Sequence, residues 1–157
     1  FVGNDGGRFH CFDATDGRGL WSYPTNGELQ IVGSANWFLD SEVSGRRPGD
    51  GADPLRILFG SHDKSLHCVD GRTGQRVWTF STGNFINSAP AVSGRDAVVG
   101  ACDRNVYVVD LAEGLEMAAV DVGSYVAESA AVSDGLAFVG HYDSELVAVD
   151  LVKAEVA

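Results

Sequence analysis

The sequence predicts an all-β protein, a β-propeller built of four-stranded antiparallel blades, and three observations carry that expectation. A Phe-Gly or Val-Gly pair recurs with its glycine at Gly3, Gly60, Gly100 and Gly140. The last three anchors lie 40 residues apart (100 − 60 and 140 − 100), whereas the first gap is 57 (60 − 3), so 17 residues (57 − 40) are inserted after the first copy. An aspartate stands ten residues after every anchor, at Asp13, Asp70, Asp110 and Asp150. Between these marks apolar residues alternate with period two and are bounded by Gly, Asp, Asn and Ser, which predicts short strands joined by tight turns and essentially no helix. Four short strands in 40 residues is the size of one propeller blade, where radial repetition leaves only short, protected sheet edges.

The elements follow in order, with the strands of a blade lettered A to D from the axis outward. Phe1 to Gly3 reads as strand B of a first blade without its strand A, spanning about 1–24. Three further blades span about 31–80, 86–122 and 126–157. In the third copy Ala97, Val98 and Val99 form one strand, a turn at Asp103 to Asn105 leads to Val106–Val109, and after Glu113-Gly114 a third runs from about Leu115 to Val122. Ser124 to Val132 then supplies a fourth strand, opening the next copy.

The insertion, 39–55, replaces the short turn that Ser93 to Asp96 makes in the third copy. Its Gly, Pro and Asp content predicts an exposed, partly disordered loop. Asp40, Glu42, Asp50 and Asp53 could gather calcium, but their spacing matches no calcium loop and Arg46 and Arg47 sit among them, so a solvated loop is the simpler expectation.

Composition narrows the function classes. The 157 residues carry 11 basic and 22 acidic side chains, a formal net charge of −11, which works against nucleic-acid binding because phosphate contacts need clustered Lys and Arg. No run of 18 apolar residues is present, so no membrane span is expected. No leader is visible, although Phe1 falls inside a strand-like pattern and a preceding region would hide one. Cys11, Cys68 and Cys102 are odd in number and lack Cys-x-x-Cys spacing. Cys11 and Cys68 share an offset with Val108 and Ala148, which marks a small apolar packing position. Unpaired thiols lean toward a reducing compartment and a cytoplasmic location.

Asp70-x-x-Thr73-Gly74-x-x-x-Trp78, followed by Gly83, resembles the tryptophan-docking repeat of the pyrroloquinoline-quinone-like, or quinoprotein-type, β-propellers, a WD40-like architecture. Asp13, Gly17 and Trp21 repeat the pattern with Asp16 in place of threonine, and Asp110 and Gly114 keep its turn. The resemblance implies that Trp21 and Trp78 pack between neighbouring blades and that Asp13, Asp70, Thr73, Gly74 and Asp110 shape the C–D turns. It further implies a ring of seven or eight blades, of which this chain supplies about half. A longer chain or a homodimer would complete such a ring. The stretches 60–70 and 99–110 look most like the non-catalytic C-terminal propeller of β-alanine-activating acyl-CoA synthetase relatives. The family slightly favours a periplasmic or cell-surface location.

In a four-stranded blade the B–C turn and the connection from D to the next A lie on one face, so they should surround one mouth of the channel. The ligand-binding candidates there are His62, His141, Glu128, Asn87, Asp63, Asp103 and Asp143, accompanied by Asn4, Asp5, Ser61, Asn84, Phe85, Ser124, Tyr125 and Tyr142. Imidazoles, carboxylates and aromatic rings could hold a cation or orient a polar ligand. Asp63, Asp103 and Asp143 recur in register, as turn acceptors for backbone N–H groups would, so the non-recurring His62, His141 and Glu128 carry more of the functional expectation. His10 and His67 read as strand-face residues.

No nucleophile elbow is present, which argues against a hydrolase. The resulting expectation is a non-catalytic protein-binding or scaffold module, with no cofactor and no metal. The alternative, part of a quinone-dependent dehydrogenase using pyrroloquinoline quinone with calcium, would have to rely on Glu128 and Asn87 as ion ligands and lacks the adjacent cysteines common in that group.

Overall fold

The computed structural model describes residues 1–45 and 53–157. The strands are β1 (Val2–Gly3), β2 (Arg8–Phe12), β3 (Gly19–Pro24), β4 (Asn36–Leu39), β5 (Leu55–Gly60), β6 (Ser65–Asp70), β7 (Arg76–Ser81) and β8 (Ala91–Ser93). They continue with β9 (Asp96–Gly100), β10 (Asn105–Asp110), β11 (Glu116–Asp121), β12 (Ala131–Ser133), β13 (Leu136–His141), β14 (Glu145–Asp150) and β15 (Glu155–Val156). Three antiparallel four-stranded sheets result, β4 to β7, β8 to β11 and β12 to β15, preceded by the three-stranded sheet β1-β2-β3. We number these blades 1 to 4 along the chain. Each is a simple meander, because an antiparallel pair needs only a tight turn to join it.

The core consists of three layers between consecutive blades. Phe9, Ile31, Ile57, Phe59 and Val69 fill the first. The second is the largest and includes Phe38, Leu58, Leu66, Trp78, Phe80, Ile86, Tyr107 and Leu111. The third is made of valine and alanine, among them Val98, Val106, Val120, Val126, Val139 and Val149. A blade covered on both sides buries both faces of its middle strands, so β6 and β10 are buried along nearly their whole length while outer strand β7 still alternates.

The C–D turns repeat in detail. Asp70 Oδ1 accepts the N–H groups of Arg72 and Thr73 and the Thr73 hydroxyl at 2.9 to 3.1 Å. Asp110 accepts from Ala112 and Glu113, Asp150 from Val152 and Lys153, and Asp13 from Thr15. The residue closing each turn has positive φ: Gly17, Gly74, Gly114 and, against steric preference, Ala154 at 58°. A β-bulge then follows at the same register in blades 1, 2 and 3, opposite Cys11/Phe12, Cys68/Val69 and Val108/Val109. The extra outer-strand residue lies exposed as Leu20, Val77 and Met117, and the local twist it adds re-aims the residue after it, Trp21 or Trp78, toward the next blade.

Two expectations need correction. Residues 124–130 are not strand: only Ala131–Ser133 pairs as the inner strand of blade 4, because the preceding segment carries interblade rather than in-sheet hydrogen bonds. The insertion is not wholly an exposed loop, since a five-residue helix α1 (Asp40–Ser44) continues from β4 and buries Val43 in the second core layer.

The three described carboxylates of the proposed calcium set are engaged in holding the insertion. Asp40 pairs with Arg56, Glu42 accepts the Leu39 N–H, and Asp53 accepts from the N–H and hydroxyl of Ser41. Asp50 lies outside the described residues. Among the described residues no three His, Cys, Asp or Glu side chains converge as a metal site.

Candidate functional site

Each connection between blades makes one backbone hydrogen bond to either side. Ile31, Ile86 and Val126 donate their N–H groups back to the carbonyls of Asn4, Ser61 and Ala101 at 3.1 to 3.2 Å. The carbonyls just before them, on Gln30, Phe85 and Tyr125, accept from His62, Cys102 and Tyr142 of the following blade. The branched side chains sit on the anchor glycines: a Cβ at Gly3, Gly60 or Gly100 would come within 2.1 to 2.3 Å of Ile31, Ile86 or Val126. The recurring glycine is therefore a receptor for the next blade's first apolar residue.

The mouth candidates distribute along these connections. His62 and Asp63, adjacent in sequence, face opposite neighbours. His62 stacks on Phe85 with centroids 4.7 Å apart, and its Nε2 meets Asn87 Oδ1 at 2.5 Å. Asn87 in turn donates its amide N–H to Cys102 Sγ. Asp63 turns back to blade 1, accepting the Asn26 N–H and bonding through both carboxylate oxygens to His67 Nε2 at 3.0 and 3.1 Å. The Tyr23 hydroxyl lies 3.1 Å from His67 Nδ1, closing a buried Tyr23–His67–Asp63 chain between two blades. Burial pushes the Asp63 carboxyl up, but the His67 bond and charge, with bonds from Asn26 and Ser61, outweigh it and hold the group below the usual carboxylate range.

Asp103 repeats this arrangement one blade on. It accepts the Gly83 N–H at 2.6 Å and the Tyr107 hydroxyl at 2.8 Å. Burial first, and the Asp103 carboxylate second, push the Tyr107 phenol up to about 12. Asp143 departs from the series: it is exposed, its N–H donates to His141 Nδ1, and Gly123 is bonded by Asp121 instead. Glu128 and His141 line one cavity of about 460 Å³ with Tyr142, Ser144 and Glu145.

Trp21 and Trp78 reach forward to the next blade. Trp21 Nε1 donates to the Gly71 carbonyl and its ring covers Gly74; Trp78 Nε1 donates to the Leu111 carbonyl and covers Gly114. At the third junction Ala118 replaces the indole and Ala154 the glycine. Both halves of the contact are absent together, which is why a side chain is tolerated at that turn.

The structure thus brings His62 and Asn87 together, and Glu128 with His141, but the two pairs belong to different junctions. Asn87 is bonded through both amide atoms, to His62 and to Cys102. Tyr23, missed from sequence, is the residue that gives His67 its place, and its offset peer Phe80 meets Tyr107 edge-on. At the mouth Phe85, Tyr125 and Tyr142 are left 39, 53 and 69% exposed.

No curated protein sequence matches the chain. Two solved structures share the fold at 18% identity: BamB from Moraxella catarrhalis, with a TM-score of 0.72, and the computationally designed Ika8 protein, with 0.71. The alignments cover 97 and 98% of this chain but only 45 and 43% of those chains, so it spans less than half of either. Residues 31–157 match the family model described as outer membrane protein assembly factor BamB. The chain therefore belongs to that family of pyrroloquinoline-quinone-like β-propeller repeats.

Proposed function

We propose that this chain is a non-catalytic protein-binding arc of a propeller, and that its docking face is the channel mouth that carries His62, Phe85, Tyr125 and Tyr142. The observation behind this reading is the aromatic stripe itself. Phe85 and Tyr125 lie on successive blade connections, and Tyr142, whose N–H bonds to the Tyr125 carbonyl, lies on the β13–β14 turn. Exposed aromatics held on ordered backbone are what a protein interface uses as anchors. Asp63, Asp103 and Asn87, which could have bound a small ligand, are engaged in hydrogen bonds within and between blades. The family's description as an assembly factor points the same way.

The test places a photo-crosslinking side chain at Phe85, Tyr125 or Tyr142, and at Val77 and Met117 on the outer rim as controls. A partner captured from the mouth alone, then shown with purified proteins to lose at least tenfold in affinity on Tyr142→Ser, is the expected result. Saturable binding of pyrroloquinoline quinone with calcium, accompanied by a melting shift that Glu128→Ala removes, would overturn the reading in favour of a dehydrogenase.

A further inference from the structure

One asparagine at the junction of blades 1 and 2 is placed unlike the other five of this chain. We propose that Asn26-Gly27 is a site of spontaneous deamidation, and that its aspartate and isoaspartate products loosen the contact between these two blades.

Three observations support this. The carboxamides of Asn4, Asn36, Asn84, Asn87 and Asn105 are all held in hydrogen bonds, whereas that of Asn26 has no partner among the described residues. Asn26 is also the one asparagine followed by glycine, and both residues are exposed. The Gly27 N–H bonds to nothing among the described residues, and glycine has no side chain to shield it. Finally, the Asn26 N–H is a donor that crosses the junction, reaching Asp63 Oδ2 at 2.9 Å.

The chemistry needs only water. The Gly27 peptide nitrogen, deprotonated by hydroxide, attacks Asn26 Cγ; a C–N bond closes a succinimide ring and the side-chain nitrogen leaves as ammonia. Water then adds to one of the two ring carbonyls, and the ring opens to aspartate or isoaspartate. A carboxamide held by its neighbours must break those bonds before its carbon can meet the attacking nitrogen, and that of Asn26 has none to break. Either product sets a carboxylate on the residue whose N–H holds Asp63, and like charges so close repel. Asp63 also binds His67, so the disturbance reaches the buried Tyr23–His67–Asp63 chain. Gly83 and Gly123 stand at the same offset in the next two copies (26 − 3, 83 − 60 and 123 − 100), so the fold does not require an amide there.

The experiment holds the purified protein in warm, mildly alkaline buffer and follows amide loss by peptide mass spectrometry, with enzymatic methylation to count isoaspartate. Loss at Asn26 should run at least about tenfold faster than at any other asparagine. Asn26→Gly, which copies the next two repeats, should fold and keep its melting temperature through the incubation, while that of wild type falls. Asn26→Asp, made directly, should melt about 2–6 °C below wild type, and the loss should shrink in an Asp63→Asn background. Three results would overturn the proposal: amide loss no faster at Asn26 than at Asn84 or Asn105, an Asn26→Gly protein that ages as wild type does, or an Asn26→Asp effect that is absent or is the same with and without Asp63.

Discussion

Gly114→Ala should destabilise the protein strongly, and only while Trp78 is present. Gly114 has φ of +70°, where a Cβ costs about 1 kcal/mol. That Cβ would also stand 2.5 Å from Trp78 Cδ2. The indole, buried to 9% exposure, must then move, stretching its Nε1 bond to the Leu111 carbonyl. Overpacking of that kind costs about 1–3 kcal/mol and a weakened hydrogen bond about 1 more, giving with the backbone penalty a total of roughly 3–5 kcal/mol.

Trp78→Ala alone should cost about 3–5 kcal/mol. In that background Gly114→Ala should add only the backbone penalty of about 1 kcal/mol, so the pair should couple by about 2–4 kcal/mol. Ala118 and Ala154 already form this double-alanine arrangement at the third junction, where Ala154→Gly should stabilise by about 1 kcal/mol. Urea denaturation of wild type, both single variants and the double variant measures the cycle. If Gly114→Ala costs the same with and without Trp78, the indole is not what requires a glycine there.

Two further outcomes follow from buried ionisable groups. The folded Asp63 carboxyl lies below its usual range, so its contribution to stability is present above the unfolded value of about 3.9 and is lost as pH falls through the folded value. The stability difference between wild type and Asp63→Asn should therefore shrink on acidification below about pH 4, and a difference that grew instead would contradict the assignment. Burial pushes the Cys68 thiol up to about 12. Pulse alkylation of the native protein near pH 8, read by mass spectrometry, should label Cys102 before Cys68, and rapid labelling of Cys68 would refute its enclosure.

Single residues show how far the sequence reaches. Asp70 and Gly74 announce their turn because the bonds that make it span three or four residues of the same repeat. His67 on a strand face and Asp63 in a turn are both legible in that way. Their bond to each other, and to Tyr23, is not, because Tyr23 belongs to the preceding blade and reaches His67 only once the sheets stack. Asp143 shows the converse failure: it holds the register of Asp63 and Asp103 yet makes no bond to the preceding blade, because at that junction the peers of Tyr23 and His67 are Val120 and Val147. The helix at Asp40–Ser44 was hidden because five residues are too few to show helical periodicity.

The sequence by itself determined the 40-residue period, the meander of short strands and the C–D turns, since period-two burial and side-chain-capped turns are local and repeat along the chain. Only the tertiary structure decided what each blade presents to the next: which glycine receives which isoleucine, valine or tryptophan, and which mouth residues are engaged in joining blades. Those contacts join residues tens of positions apart in different repeats, and their geometry comes from the stacking of sheets rather than from any one strand's pattern.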